Sequence, residues 1–309
     1  MDYKKNTIYI ANSESFNTAN LSTPLTAYAA GYKVPEAQSI LDFVAPPVQT
    51  PKRFEYRSFG KGQFAMEIDD VRASGADFKK VVMEGEVLDA HLLNKGLSLF
   101  IDKDDNFDGA ENQAVEFLKR RLIRNELLRA FSVLAAASGN ATAKKWMASG
   151  NGKSSPDGDV AALVSSVGDA CGLDANRVVY GSQAWLYRLS ALLGSSAPAE
   201  GAAARMSPDE IAKFLGIEGA MIAKARGEIY ENGAKKKATI GNAAYVFAFN
   251  GESGLSKNDA STIKRFHSGE DMNVYREEKN NGILITVEHY SRIVQTGVGA
   301  CAALSISNS

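Results

Sequence analysis

Within residues 53–70, RFEYRSFGKGQFAMEIDD, apolar and polar positions alternate in two short runs. Phe54 and Tyr56 oppose Glu55 and Arg57; beyond Gly60-Lys61-Gly62, Phe64, Met66 and Ile68 oppose Ala65, Glu67 and Asp69. Successive strand side chains point to opposite faces, so the pattern predicts a β-hairpin turning at the glycines. A lone two-stranded hairpin is marginal in water and needs a further surface to lie on.

Five of the eight prolines (Pro24, Pro35, Pro46, Pro47 and Pro51) precede residue 52. Proline removes a backbone donor and biases its predecessor toward extended conformations. Residues 1–51 therefore read as an extended arm with apolar anchors at Ile40, Leu41, Phe43 and Val44, and APPVQTP as neither helix nor central strand. Residues 78–106 read as strand, then loop. From Asp108 to Ala137 the sequence predicts a helix of about 45 Å at ~1.5 Å per residue. Its apolar residues do not keep to one stripe, which suits a helix touched on several sides. Asp108 and Glu111 are spaced as a capping box at its start.

Residues 138–158 read as a loop at a domain junction. Val160, Leu163, Val164 and Val167 have helical spacing, and SQAWLYRLSALL reads as a second helix. SPDEIAKFLG reads as a third, with Ser207 and Glu210 as capping box and Gly216 as stop. SSAPAEGAAAR, 195–205, reads as a flexible insert, and strands are expected around Ala220–Tyr230 and Ala238–Phe249. MNVYREEK and ILITVEHYSRIV flank Asn281-Gly282, a strong hairpin signal. Runs of strands and runs of helices in this order predict an α+β fold.

Composition changes this picture little. Apolar residues are 45% and charged residues 23% of 309, and 35 basic against 36 acidic side chains leave a net charge of −1. A dedicated nucleic-acid binder is usually basic overall, so that class is disfavoured. A local basic cluster, Arg120, Arg121 and Arg124, lies on the long helix. It reads either as a solvated face with ion pairs such as Glu116–Arg120 or as a surface facing a polyanion. Cys171 and Cys301 are too few for a disulfide framework and read as buried thiols. MDYKKNTIYIANSESF carries no apolar run of signal-peptide length, and no run approaches ~20 apolar residues. The expected location is inside a cell, or inside something assembled there.

The search for chemistry returns no catalytic residue, metal site or cofactor site. DDNFDG, 104–109, matches half of a calcium loop, but the twelfth position is Val115 where a bidentate Glu is required. GNGKSS, 150–155, lacks the first Gly of a phosphate loop, since Met147 stands there, and GESGL ends in Leu255 where a nucleophile elbow needs Gly. His91, His267 and His289 are far apart in sequence, so a general base or metal site would need tertiary convergence.

A chain with no such site fits a protein whose work is contact. The order of LTAYAAGYKVPEAQSILDFVAPPVQTPKRFEYRSFGKGQFAMEIDDVRASGADFKKV, LDAHLLNKGLSLFIDKDDNFDGAENQAVEFLKRRLIRNELLRAFSVLA, NRVVYGSQAWLYRLSALL, SPDEIAKFLGI, IGNAAYVFAF and NVYREEKNNGILITVEHYSRIVQTGVGACAALSIS resembles the major capsid (coat) proteins of tailed double-stranded DNA bacteriophages. The resemblance implies an N-terminal arm (1–51) and an extended hairpin loop (52–77). It also implies a peripheral domain whose first part, 78–145, holds the spine helix with an acidic residue, Glu126, in its second half. A mixed α/β axial domain (146–254) and peripheral return strands (255–309) complete the expected division. It implies a structural protein, not an enzyme, associating with itself as pentamers and hexamers into an icosahedral shell around packaged double-stranded DNA, which it contacts non-specifically. Scaffold and portal proteins are expected partners, and a decoration protein is left open; no membrane is involved. The expected place is the virion, assembled in the host cytoplasm.

In that family the hairpin reaches across a neighbouring subunit, which nominates Phe54, Glu55, Tyr56, Arg57, Lys61, Phe64, Met66 and Glu67 as inter-subunit contacts, and the Arg120, Arg121 and Arg124 face as inner surface. Some members cross-link a loop lysine to an asparagine; Lys61 sits at the hairpin tip, but nothing identifies a partner. The chain begins without a long charged helical leader, so a scaffold is expected as a separate protein or a cleaved segment. Two alternatives differ in class: an encapsulin-type nanocompartment shell enclosing protein cargo, and a cytoplasmic enzyme of undetected type. Co-purifying cargo would favour the first, and a small oligomer binding a small ligand the second.

Overall fold

The computed structural model describes residues 20–60, 70–75, 77–80, 85–105, 107–147, 155–194, 198–223, 228–231, 234–237, 241–249, 256–269 and 272–307. The arm is not simply extended: it folds into α1 (Thr23–Gly31) and α2 (Pro35–Val44) before the short β1 (Pro47–Gln49). Pro24 and Pro35 occupy the first turns of these helices, where a missing N–H costs nothing. The anchors Ile40, Leu41 and Val44 are buried in the main core.

β2 (Arg53–Ser58) pairs antiparallel with β3 (Glu86–His91), and β4 (Leu93–Asp102) follows. The partner of 53–58 is therefore 86–91, and the excursion between them is longer than a hairpin turning at Gly60–Gly62. The second run, Phe64 to Ile68, lies outside the described residues.

Helix α3 (Ala110–Ser138) starts at Gly109, whose φ of 86° falls in the left-handed region that favours glycine, with no side-chain cap. Glu111 binds Arg276 instead (3.0 Å), so no capping box forms. The buried positions (Ala110, Ala114, Leu118, Leu122, Glu126, Ala130 and Leu134, with Val115, Lys119, Ile123, Leu127 and Phe131 beside them) follow i, i+4 rows, which advance about 40° per step at 3.6 residues per turn, so burial winds round most of the helix. Both arm helices and both large sheets pack on α3, which is thus touched on several sides, as its lack of a single apolar stripe implies.

Next come β5 (Thr142–Lys145), α4 (Pro156–Cys171), β6 (Arg177–Gly181), α5 (Ser182–Leu193), α6 (Pro198–Ala204), α7 (Pro208–Leu215), β7 (Gly219–Ala223), β8 (Glu228–Glu231), β9 (Ala234–Lys237) and β10 (Ala243–Phe247). The expected capping box of α7 is present, and Gly216 closes it in the left-handed region. Part of the expected flexible insert is helix α6; four alanines, the best helix former, outweigh Gly201 there. The strand expected over 220–230 divides into β7 and β8, and β8 pairs with β9.

The chain ends with β11 (Ile263–His267), β12 (Asn273–Lys279), β13 (Gly282–Gln295) and β14 (Cys301–Ser307). The first sheet runs β1-β11-β13-β12, with β4 also on β13; the second runs β5-β14-β10-β6-β7. β1 is an edge strand, as its prolines require. β14 joins the second sheet although β12 and β13, just before it, lie in the first. The Asn281-Gly282 hairpin forms, pairing Lys279 with Gly282. Here the glycine matters for close approach: an added Cβ would lie 2.1 Å from the Ile101 carbonyl oxygen of β4.

Candidate interaction surfaces

The base of the 60–85 excursion is seated on its own chain. Phe54 is buried with its ring centroid 4.5 Å from that of Phe266 on β11, and Tyr56 lies 5.7 Å from the same ring. Lys52 Nζ sits 4.0 Å above the Tyr290 ring on β13. Phe59 donates its N–H to Thr296 (2.8 Å), and its carbonyl accepts from Val298 (2.9 Å). The first sheet is thus the surface on which the base lies. Of the nominated contacts, Phe54 is covered internally, Glu55 is exposed, Tyr56 and Arg57 are half-buried, and Lys61, Phe64, Met66 and Glu67 lie outside the described residues. Above the base, every described residue between 70 and 80 is exposed. An open groove of about 1080 Å³ runs beside the base and brings Glu55, Asp89, His91, Arg53 and Lys257 together.

Arg120, Arg121 and Arg124 are all exposed on α3. Arg120 donates to the Tyr32 hydroxyl, while Tyr28 donates to Glu116. Tyr28 within α1 and Tyr32 at its C-terminal cap thus take the two groups that the sequence pairs with each other. Arg121 lies 4.3 Å over the Phe117 ring.

The sequence did not foresee the most concentrated polar cluster. Glu126, 1% exposed on α3, accepts from Lys95 Nζ of β4 (2.7 Å), Arg129 (2.6 Å) and Ser291 Oγ of β13 (2.8 Å). His289 Nε2 stands 3.6 Å away. Burial alone would push the carboxyl up, but His289 and Lys95 outweigh it and hold it well below the usual carboxylate range. Burial pulls the Lys95 ammonium down, against the attraction of Glu126. The cluster borders a void of about 20 Å³ that His267 and Arg265 also line, room for about one water molecule. It is a sealed tie between helix and sheet, with no space for a substrate. His289 and His267 do converge, while exposed His91 stands apart on β3.

Among the described residues no group of three or more His, Cys, Asp and Glu side chains is placed to hold a metal ion. Cys171 and Cys301 are both free and buried, and burial, with Cys171 nearby, pushes the Cys301 thiol up to about 12. No described helix is long and apolar enough to cross a membrane.

No protein-family model matches the sequence, and no curated protein matches it either. Solved structures do. A phage-related protein from Bordetella bronchiseptica is 15% identical, with a TM-score of 0.66 over 93% of this chain and 97% of its own. The capsid protein of cyanophage P-SCSP1u is 13% identical, with a TM-score of 0.53 over 87% of this chain and 88% of its own. That of the mature capsid of bacteriophage PhiM1 is 12% identical, with a TM-score of 0.52 over 87% of both chains. The chain therefore has the mixed helix-and-sheet fold of tailed-phage major capsid proteins.

Proposed function

We propose that this chain is a structural shell subunit, assembling with copies of itself as pentamers and hexamers into an icosahedral capsid around double-stranded DNA. The observation that carries the proposal is the connection between β2 and β3: its strands are clamped on the first sheet, and every described residue from 70 to 80 between them is exposed. Such an element is stabilised by a neighbour more than by its own chain. The capsid fold over most of the chain supports the reading by analogy. In it, the first sheet with α3 forms the peripheral part, and the second sheet with α4 to α7, closed by β14, the axial part. Glu55, Tyr56 and Arg57, with Lys61, Phe64, Met66 and Glu67 later in the sequence, contact neighbouring copies, where mixed charges set register more than affinity. Arg120, Arg121 and Arg124 face the packaged DNA. Scaffold and portal proteins complete the assembly in the host cytoplasm, and the mature protein resides in the virion.

Negative-stain electron microscopy of the purified protein, expressed with and without its neighbouring genes, tests this. Closed angular shells, or capsomer rings that close when a scaffold is supplied, are expected. A uniform monomer in every condition would overturn the proposal.

A further inference from the structure

The polar tie at Glu126 leaves two buried neighbours short of partners. His289 on β13 is 7% exposed, and neither of its ring nitrogens has a hydrogen-bond partner among the described residues. Arg265 on β11 is 9% exposed; its guanidinium reaches the Asp42 carboxylate of α2 at 2.8 Å, but its Nε–H finds no acceptor there. A buried polar group without a partner forfeits the hydration it had in the unfolded chain, so native proteins leave few of them.

Both residues line the same void of about 20 Å³, and Glu126, Lys119 and Gln38 line it with them. That is enough space for one water molecule, which is held when two to four polar groups surround it. Direct contact does not serve His289, whose Nε2 stops 3.6 Å from Glu126 Oε1, beyond hydrogen-bond reach. Water matches the wall on every count. Its oxygen accepts from Arg265 Nε–H, and its two hydrogens serve the unprotonated nitrogen of a neutral imidazole and the Glu126 carboxylate. A cation would face Arg265 and Lys119, and an anion would face Glu126.

We infer that this void is a binding site for one ordered water, which joins Arg265 to His289 and Glu126. Gln38 and Asp42 of α2, Arg265 of β11, the water, His289 of β13, Glu126 of α3 and Lys95 of β4 then form one continuous polar chain through five elements. The second helix of the arm is thereby held by the same network that fixes α3 on the first sheet. The site goes beyond the shell reading and does not depend on it.

A crystal structure of the full chain, at a resolution that shows ordered solvent, tests this. A density peak is expected about 2.7–3.2 Å from Arg265 Nε and from one ring nitrogen of His289. A map that shows other internal waters but none in this void overturns the inference. An anomalous peak in the void after soaking in bromide also overturns it, because the site would then take an anion. In solution, His289→Leu and Arg265→Lys should each lower the denaturation midpoint; the lysine keeps a cation for Asp42 but removes the Nε–H. The double variant should lose clearly less than the sum of the two, because the one bridge is lost only once. Additive losses overturn the bridge, since no direct hydrogen bond joins these side chains. The map decides even where a variant fails to fold.

Discussion

The two large sheets share one apolar core but differ in what else they bury. In the second, alternate residues of one strand serve two apolar cores: Tyr245 and Phe247 of β10 face α3, while Ala244 and Val246 face the core shared with α4 and α5. Burial on both faces makes such strands read as continuous apolar runs. The first sheet buries charge as well as Val274, Ile285 and Val287. Glu288 accepts from Tyr275 (2.7 Å) and Asn94 (3.0 Å), and Lys264, 0% exposed, reaches the Asp259 carboxylate at 2.6 Å. Glu126 of α3 is tied to Lys95 and Ser291 of the same sheet. Apolar contacts tolerate sliding, whereas a buried charge with three partners specifies one register between helix and sheet at the cost of desolvation. That sheet is also the one on which Phe54 and Phe59 are seated.

This contrast can be broken most forcefully from the apolar side. Phe247→Ala should destabilise the protein by about 3–5 kcal/mol, read as a lowered denaturation midpoint whose acid dependence matches wild type. Glu126→Gln comes next, at about 3 kcal/mol, because it strands the buried Lys95 charge. Its distinguishing mark is pH. The folded Glu126 carboxyl titrates below its unfolded value, so its stabilisation is present above about pH 4.3 and is lost as pH falls toward the lower folded value. Wild type should weaken over that range and Glu126→Gln less so; identical acid limbs would refute the ion-pair account. Gly282→Ala should cost about 1–3 kcal/mol through the clash with β4, and an unchanged melting temperature would mean that the hairpin yields easily. Ser207→Ala, which removes only the α7 cap, should cost about 1 kcal/mol.

The sequence made some of these elements legible and hid others for definite reasons. α5, α7 with its capping box, and the β12–β13 hairpin rest on neighbours within a few residues, where periodicity and turn chemistry are decisive. The arm helices are hidden because Pro24 and Pro35 read as breakers, although in the first helical turn proline is a starter. The start of α3 lacks its expected capping box because Glu111 has a better partner in Arg276, 165 residues away. The Glu126 cluster joins positions 95, 126, 289 and 291, and no local pattern announces such a meeting. The resemblance singled out Glu126, but its partners could come only from the topology. The pairing of 53–58 with 86–91 was hidden by a nearer segment of suitable alternation.

The strand order also sets a timetable. β13 pairs with β4, β11 and β12, and β14 lies inside the second sheet between β5 and β10. The strand that organises the first sheet, and one that bridges the second, both come from residues 282–307. During synthesis, β4, β5 and β10 therefore emerge with open edges and must wait for partners made last. Long-range pairing of this kind folds slowly and exposes unpaired strands meanwhile. Under the shell proposal, a copy whose residues 282–307 are still unmade has neither sheet complete, so its folding precedes its recruitment.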